Sequence, residues 1–510
     1  MSGNDTRRVL FVTSEVQPLM KTGGLADVSA ALPAALQTRG HDVRVLTPAY
    51  ADSFEAGSAI RLIGDFRAPP FSAQVALHET VLPEHDLRVW LMDSPWFSER
   101  PGSPYHDERG EPYPDNAERF NQLCRIAAWI SAGGAGLSWR PDIVHCNEWH
   151  TGLTPVWLRL NHAPVASVFT IHNLAYQGLF PRRDFDALDL PEWLWHHHAV
   201  EFHGQLSCMK AGLQFADRLT TVSRTFAREI LTPQGGEGLD GVLRERAGAL
   251  TGILNGLDTR CWDPVRDPYL ARPYGIDSLE HKAENAAAVR RDMRLEAKGT
   301  QPLVAVIGRL AFQKGMDILV DALPELMQLP LQMAVIGTGD RACERDLARL
   351  AGVYEGRLAV HIGFDERLAH RLEAGAAMLL MPSRYEPCGL TQMQSLRYGT
   401  VPVVGRCGGL VDTVVGVDAV SLANGTATGF FIDPLSPAGI VSTMKRALAS
   451  YGAPQDWRRL MRRGMQQDFG WDRSARSYEK VYGDAVAAHR QGRQAADSAP
   501  RESPPPGGSE

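Results

Sequence analysis

The chain has 510 residues, too many for one hydrophobic core, and its 44% hydrophobic and 22% charged residues are the composition of a globular protein of two to four domains. A net charge of −6 excludes a general nucleic-acid binder, so positive charge that meets an anionic ligand has to be local. Seven cysteines without a C-x-x-C pair fit a reduced enzyme and not a disulfide scaffold or zinc site; with a polar start and no bilayer-length apolar run, they predict a cytoplasmic protein with no membrane partner.

In chain order, residues 9–13 predict a buried strand, 24–39 a helix and 43–47 a second strand, a βαβ unit whose first loop carries KTGGLADV, residues 21–28. Gly23 and Gly24 remove two side chains at the helix start, so N–H groups and the helix dipole can approach a phosphate, and Lys21 adds a charge. The order of these residues matches neither G-x-x-x-x-G-K-[ST] nor G-x-G-x-x-G, and a capped helix start is the alternative reading. Residues 51–115 read as sheet extensions and loops, and 115–135 as a helix with Phe120, Leu123, Cys124, Ala127 and Ile130 on one face.

Strands at 142–145 and 167–171 deliver polar clusters at their carboxyl ends, CNEWH with Glu148, and His172-Asn173. His172 is placed to donate a hydrogen bond to a sugar hydroxyl or a developing charge, although a His satisfied by a turn carbonyl reads the same way. His196, His197 and His198 point in different directions on a helix, and Asp184-Phe185-Asp186 sits in a loop, so no metal site is assigned. After a strand at 218–222 and a helix at 223–231, the turn-rich stretch 250–264 suits a domain crossover near Gly256.

The second half alternates again, with strands at 303–307, 333–336, 359–362, 378–381 and 401–404 and a helix at 316–326. The fold class is therefore α/β, two Rossmann-like, doubly wound parallel-sheet domains facing across a cleft. Arg309 and Lys314 follow the first of these strands; a guanidinium fork and a mobile ammonium can neutralise a diphosphate leaving group without a metal, and plain surface charge is the alternative. In SRYEPCGLTQ, residues 383–392, Glu386 would hold hydroxyls while N–H groups near Cys388 and Gly389 hold an anion, a description that a sugar carrying a phosphate satisfies. A helix cap with a strain-relieving glycine explains that turn alone. Gly408-Gly409-Leu410 adds another glycine turn, and four or five such loops on two sheets favour a binding site.

KTGGLADV, HNLAYQG, KAGLQFADRLTTVS, GILNGLD, GRLAFQKG, GTGD, SRYEPCGLTQ and GGLVDTV together resemble, in order and spacing, the bacterial glycogen synthases and plant starch synthases, over residues 8–482. The resemblance implies the GT-B arrangement, no cofactor, and transfer of glucose from ADP-glucose to the non-reducing end of an α-1,4-glucan such as glycogen. It implies that Lys21, Gly23 and Gly24 meet the nucleotide sugar, that Arg309 and Lys314 hold the diphosphate, and that Glu386 holds glucose hydroxyls. Cys388, Gly389 and Leu390 would lie near phosphate and sugar, His172 beside the reacting carbon, and Asp27 and Asn255 along the cleft. The expected domains are 1–256, 257–468, a helix at 469–490 crossing back to the first domain, and a disordered tail at 491–510.

Glu148 on the acceptor side stands where many bacterial relatives have Asp; Cys407 stands in place of Thr, Arg224 in place of Pro, and Gln394 where the broader class often has a second Glu. With no carboxylate positioned as a nucleophile opposite a general acid, the expected reaction is a metal-independent, same-face displacement with retention. A UDP-glucose-dependent transferase and a non-catalytic glucan-binding protein are the two alternatives.

Overall fold

The run RVLFV at Arg8–Val12 buries its last four residues completely, as a strand covered on both faces must. In the computed structural model, which describes residues 6–51, 53–56, 60–66, 74–82, 84–297 and 301–498, this strand lies inside a nine-stranded sheet. The order is Leu250–Gly252, Arg218–Thr221, Ala166–Ile171, Ile143–Asn147, Arg8–Val12, Asp42–Pro48, Leu87–Asp93, Val75–Leu82 and Arg61–Phe66. Pairings from Ala166–Ile171 through Leu87–Asp93 are parallel, and the last two strands extend the sheet antiparallel. Arg8–Val12 has the next strand in sequence on one side and, on the other, Ile143–Asn147, which follows after a long excursion. Strand order reverses there, and loops at the carboxyl ends of such a pair part to leave a crevice.

A second sheet is wholly parallel, in the order Leu358–Ile362, Gln332–Gly337, Leu303–Ile307, Met378–Met381, Val401–Gly405, Phe430–Ile432. Its order reverses between Leu303–Ile307 and Met378–Met381. Successive residues of the central strand face opposite cores. Val304 and Val306 pack with Leu319, Leu323 and Leu326 of the helix Met316–Leu326, whereas Leu303 and Ala305 pack with Val289, Leu372 and Leu379.

The chain splits into two compact units, Met1–Thr220 with Pro233–Thr251 and Ala475–Glu510, and Thr221–Thr232 with Gly252–Ser474. Residues 221–232 thus join the second unit well ahead of the expected boundary near Gly256. The reason is long-range: Ser223 donates to the Pro387 carbonyl at 2.6 Å, Asp412 takes Thr225 through its amide at 2.9 Å and hydroxyl at 2.7 Å, and Glu229 accepts the Gly408 amide at 2.9 Å.

The C-terminal helix Trp471–Ser498 joins the first unit from Ala475 onward. Tyr478 and Tyr482 are fully buried, Tyr482 lies 2.9 Å from His145, and Glu479 grips Arg39 at 2.8 and 2.9 Å. Tyr482→Ala is expected to cost the first unit about 3–5 kcal/mol, measured by urea unfolding, because the ring leaves a cavity and His145 Nδ1 loses its partner. The helix extends through 498, so residues 491–498, expected to be disordered, are helical; the rest of that expected tail lies outside the described residues. Among the described residues no helix is long and apolar enough to cross a membrane.

Candidate active site

In the second unit, the loops after the two strands at the switch point are tied to each other. Arg384 forks onto Asp317 at 2.5 and 2.6 Å, lies 3.7 Å over the Phe312 ring, and donates to the Phe312 carbonyl. Gln313 donates to the Tyr385 carbonyl at 3.1 Å, and the Arg384 amide donates to the Gln313 carbonyl at 3.0 Å. Across this brace Lys314 and Glu386 form a close ion pair, with side chains 19% and 7% exposed, and Ser383 donates to the same Glu386 oxygen at 3.2 Å. Arg309, exposed at the mouth of the loop, donates to Gln313 at 3.2 Å. Lys314 and Glu386, expected to serve separate parts of a ligand, thus stand together on these two loops, with Gln313, Ser383 and Arg384 as supporting residues that no sequence signal picked out.

At two of the glycines the missing side chain is also what lets neighbouring atoms close in. Gly389 has φ +71°, and a side chain there would meet Gln392 Oε1 at 2.2 Å. Gly408 has φ +43°, and a Cβ would fall 1.9 Å from the Glu386 carbonyl oxygen. Gly408 lets its turn pack onto the backbone that aims Glu386, and Gly389 makes room for the Gln392 side chain. Gly408→Ala should therefore destabilise the second unit by roughly 1–3 kcal/mol from backbone strain and displace the Glu386 turn. A fall in both melting temperature and transfer rate checks this.

Leu390 is the half-buried N-cap of the helix Thr391–Arg397. Burial pushes the Cys388 thiol up to about 12, so it stays protonated and packs rather than reacts. Asn255 is buried with its Oδ1 lacking a hydrogen-bond partner among the described residues, an acceptor suited to a ligand hydroxyl.

In the first unit, Lys21, Gly23 and Gly24 are exposed at the start of the helix Gly24–Thr38. Lys21 is held by Asp27 at 2.8 Å and by Gln17 at 3.2 Å, which makes Asp27 a positioning group for the ammonium. The loop is fixed by Glu15, unread in the sequence, which accepts from the Thr22 amide and hydroxyl, both at 2.6 Å, and from the Tyr105 hydroxyl. Tyr105 stacks on His150 at 4.6 Å. Only the polar loop 14–22 before a glycine pair hinted at such a clamp.

Glu148 does not face outward as an acceptor-side group would. It is 5% exposed, and a single oxygen accepts the His172 and Asn173 amides at 2.6 and 2.7 Å. Burial pushes its carboxyl up to about 8. The Asn147 amide donates to the Val12 and His145 carbonyls at 3.1 and 3.3 Å, so its oxygen faces His172 Nε2 at 3.0 Å. That oxygen can only accept, which places the ring hydrogen on Nε2 and leaves Nδ1 as an acceptor. Burial lowers the His172 pKa to about 3. The expected donor is thus a neutral imidazole whose remaining nitrogen accepts.

Of the residues rejected as metal ligands, Asp186 holds Arg182 at 2.7 Å and Phe185 is core. His196, His197 and His198 are exposed neighbours.

Two doubly wound sheets, each with polar, glycine-bearing loops at its switch point, are what GT-B glycosyltransferases are built from, and the protein is a glycosyltransferase of that class. Residues 8–245 match the starch synthase catalytic domain family and 291–463 the glycosyl transferases group 1 family. The chain belongs to the family of bacterial glycogen synthases and plant starch synthases.

It is 49% identical to glycogen synthase 1 of Methylococcus capsulatus over 490 residues, covering 96% of this chain and 99% of that one. It is likewise 49% identical to the glycogen synthase of Thioalkalivibrio sulfidiphilus, over 94% of this chain and 100% of the other. The catalytic domain of starch synthase IV from Arabidopsis thaliana, bound to ADP and acarbose, aligns with TM-score 0.86 and 28% identity over 94% of this chain and all of its own.

Proposed function

We propose that the chain transfers glucose from ADP-glucose to the non-reducing end of an α-1,4-glucan such as glycogen, with retention, in the cytoplasm. The observation that carries this reading is the Lys314–Glu386 pair on two braced loops at the second sheet's switch point, which sets a carboxylate for sugar hydroxyls beside an ammonium for phosphate. ADP as the nucleotide is supported by the Arabidopsis structure, which held ADP and acarbose, and glycogen as the product by the glycogen synthases at 45–49% identity.

In this reading Arg309 and Lys314 neutralise the departing diphosphate while the bond from C1 to the phosphate oxygen breaks. The acceptor hydroxyl attacks C1 from the same face, and its proton passes to that phosphate oxygen. Glu386 orients the glucose hydroxyls, and Asn255 offers its buried oxygen. The backbone of Cys388, Gly389 and Leu390 lies along phosphate and sugar. On the first unit, Lys21 with the backbone of Gly23 and Gly24 offers positive charge to a phosphate, Asp27 aims Lys21, and His172, anchored by Glu148, offers an acceptor to a sugar hydroxyl. No side chain forms a bond to the sugar; a glucosyl adduct trapped on Glu386 would overturn this route.

The test is ADP release from ADP-glucose with and without glycogen, with UDP-glucose in parallel. Glycogen-dependent release that favours ADP-glucose supports the reading. Release from UDP-glucose alone would move the donor assignment to UDP.

A further inference from the structure

Three side chains that glucosyl transfer leaves unused meet on the second unit. The sulfur of Cys261, a carboxylate oxygen of Glu366 and a ring nitrogen of His370 lie within 4.8 Å of one another. No other set of three His, Cys, Asp or Glu ligand atoms among the described residues is so grouped. Glu366 and His370 are four residues apart on the helix Glu366–Gly375 and so share a face. The cysteine spacing argued against zinc, because the fold and not a local motif brings Cys261 to this helix.

His370 is 1% exposed, and its Nδ1 lies 2.7 Å from Asp267 Oδ2. The same carboxylate accepts the Tyr398 hydroxyl at 2.6 Å and the Tyr269 amide at 2.9 Å. A carboxylate can only accept, so Nδ1 carries a hydrogen and Nε2 is the ring nitrogen left to face a ligand. That Nε2 is buried without a hydrogen-bond partner, which is costly unless a ligand satisfies it. Trp262 stacks flat on the ring, centroids 3.7 Å apart and planes at 8°, and fixes its orientation. A His held at one nitrogen by a carboxylate, with the other nitrogen open, is how proteins orient an imidazole toward a metal.

We propose that Cys261, Glu366 and His370 bind one zinc ion, with water completing four-coordination, and thereby tie the loop carrying Cys261 to the helix Glu366–Gly375. Thiolate, imidazole and carboxylate together select zinc over magnesium or calcium, which take oxygen ligands. Zinc bonds put donor atoms roughly 3.3–3.8 Å apart, so closing on the ion takes on the order of 1 Å of side-chain movement. The exposed Cys261 and half-buried Glu366 have room for it. The thiol gives its proton to solvent as the sulfur–zinc bond forms. The ion's role here is cross-linking, separate from transfer.

The test uses the full chain, stripped with chelator, equilibrated with micromolar zinc chloride, desalted and assayed for bound metal. Cobalt(II) loading is followed by absorption. Wild type should hold one zinc more per chain than Cys261→Ala, and should show a thiolate-to-cobalt charge-transfer band that Cys261→Ala lacks. Glu366→Gln should bind at least about tenfold more weakly. Zinc should raise the melting temperature of wild type but not of Cys261→Ala. A variant with His196, His197 and His198 replaced by alanine should keep the band. Equal zinc in wild type and Cys261→Ala, or zinc lost only with the three histidines, overturns the proposal. Circular dichroism confirms that the variants fold.

Discussion

Glu386→Gln should lower the rate of glucosyl transfer by on the order of 10²–10³ while the protein stays folded. One Glu386 oxygen takes both Lys314 and Ser383, so the carboxylate sets the position of the ammonium as well as offering itself to the sugar. Gln keeps the shape and loses the charge. The effect should therefore appear in kcat more than in KM, with the melting temperature nearly unchanged.

Lys314→Ala is the sharper case, because it leaves a carboxylate at 7% exposure without its cation. That should cost roughly 1–3 kcal/mol of stability, less than for a fully buried pair because Lys314 is partly solvated. Combining it with Glu386→Ala should recover part of this loss, since the orphaned charge is gone. The measurement is a double-variant cycle on stability beside steady-state kinetics. Full activity in Glu386→Gln would remove the carboxylate from the mechanism.

Acid should destabilise the first unit between pH 6.5 and 3, most steeply below about pH 4.5, where Glu148 no longer offsets the histidines. His145 is fully buried between Tyr482 at 2.9 Å and Thr170 at 2.6 Å, and burial lowers its pKa to about 3. Unfolded, the imidazole titrates near 6.5. Across that window the unfolded chain binds the extra proton, so the stabilisation is complete above pH 6.5 and is lost as pH falls toward 3. His145 alone accounts for roughly 4 kcal/mol by pH 3.

His172 adds a smaller amount in the same direction because it is half-buried. Glu148 opposes both: with its carboxyl pushed up to about 8, the folded state binds the extra proton between pH 4.5 and 8, and acidification there favours folding. Urea unfolding from pH 7 to 4 should show stability falling. The slope should be shallower by nearly one proton in His145→Gln and steeper in Glu148→Gln. An unchanged slope in His145→Gln would show that the buried imidazole is not the acid trigger.

The strands and the turns that follow them were legible because parallel strands buried on both faces are written as continuous apolar runs, and polar residues right after such a run have few places to be except a crevice rim. The helix Met316–Leu326 and the strand Met378–Met381 were bounded correctly from period and flanking residues alone. What escaped were pairings between distant positions. Nothing local to Ser223 announces Pro387, and nothing near Asn147 says that its amide dictates the His172 tautomer. Gly408 and Gly409 looked like residues that open a backbone to a ligand, and they prove to be places where one loop's backbone lies against another's. Glu148 carried a similar ambiguity: a polar residue at a strand end can face a substrate or brace the loop that does.

Arg39 and Glu479, which clasp each other in the first unit, are 440 residues apart. At the ribosome's pace of roughly 5–20 residues per second, Arg39 is made about 20–90 s before its partner, and most of the second unit emerges in between. From its own synthesis until the C-terminal helix emerges, His145 lacks the tyrosines that cover it, so the first unit stays incomplete while the second can already be finished. Slowing synthesis across the second unit would lengthen that exposure without changing a single contact in the mature molecule.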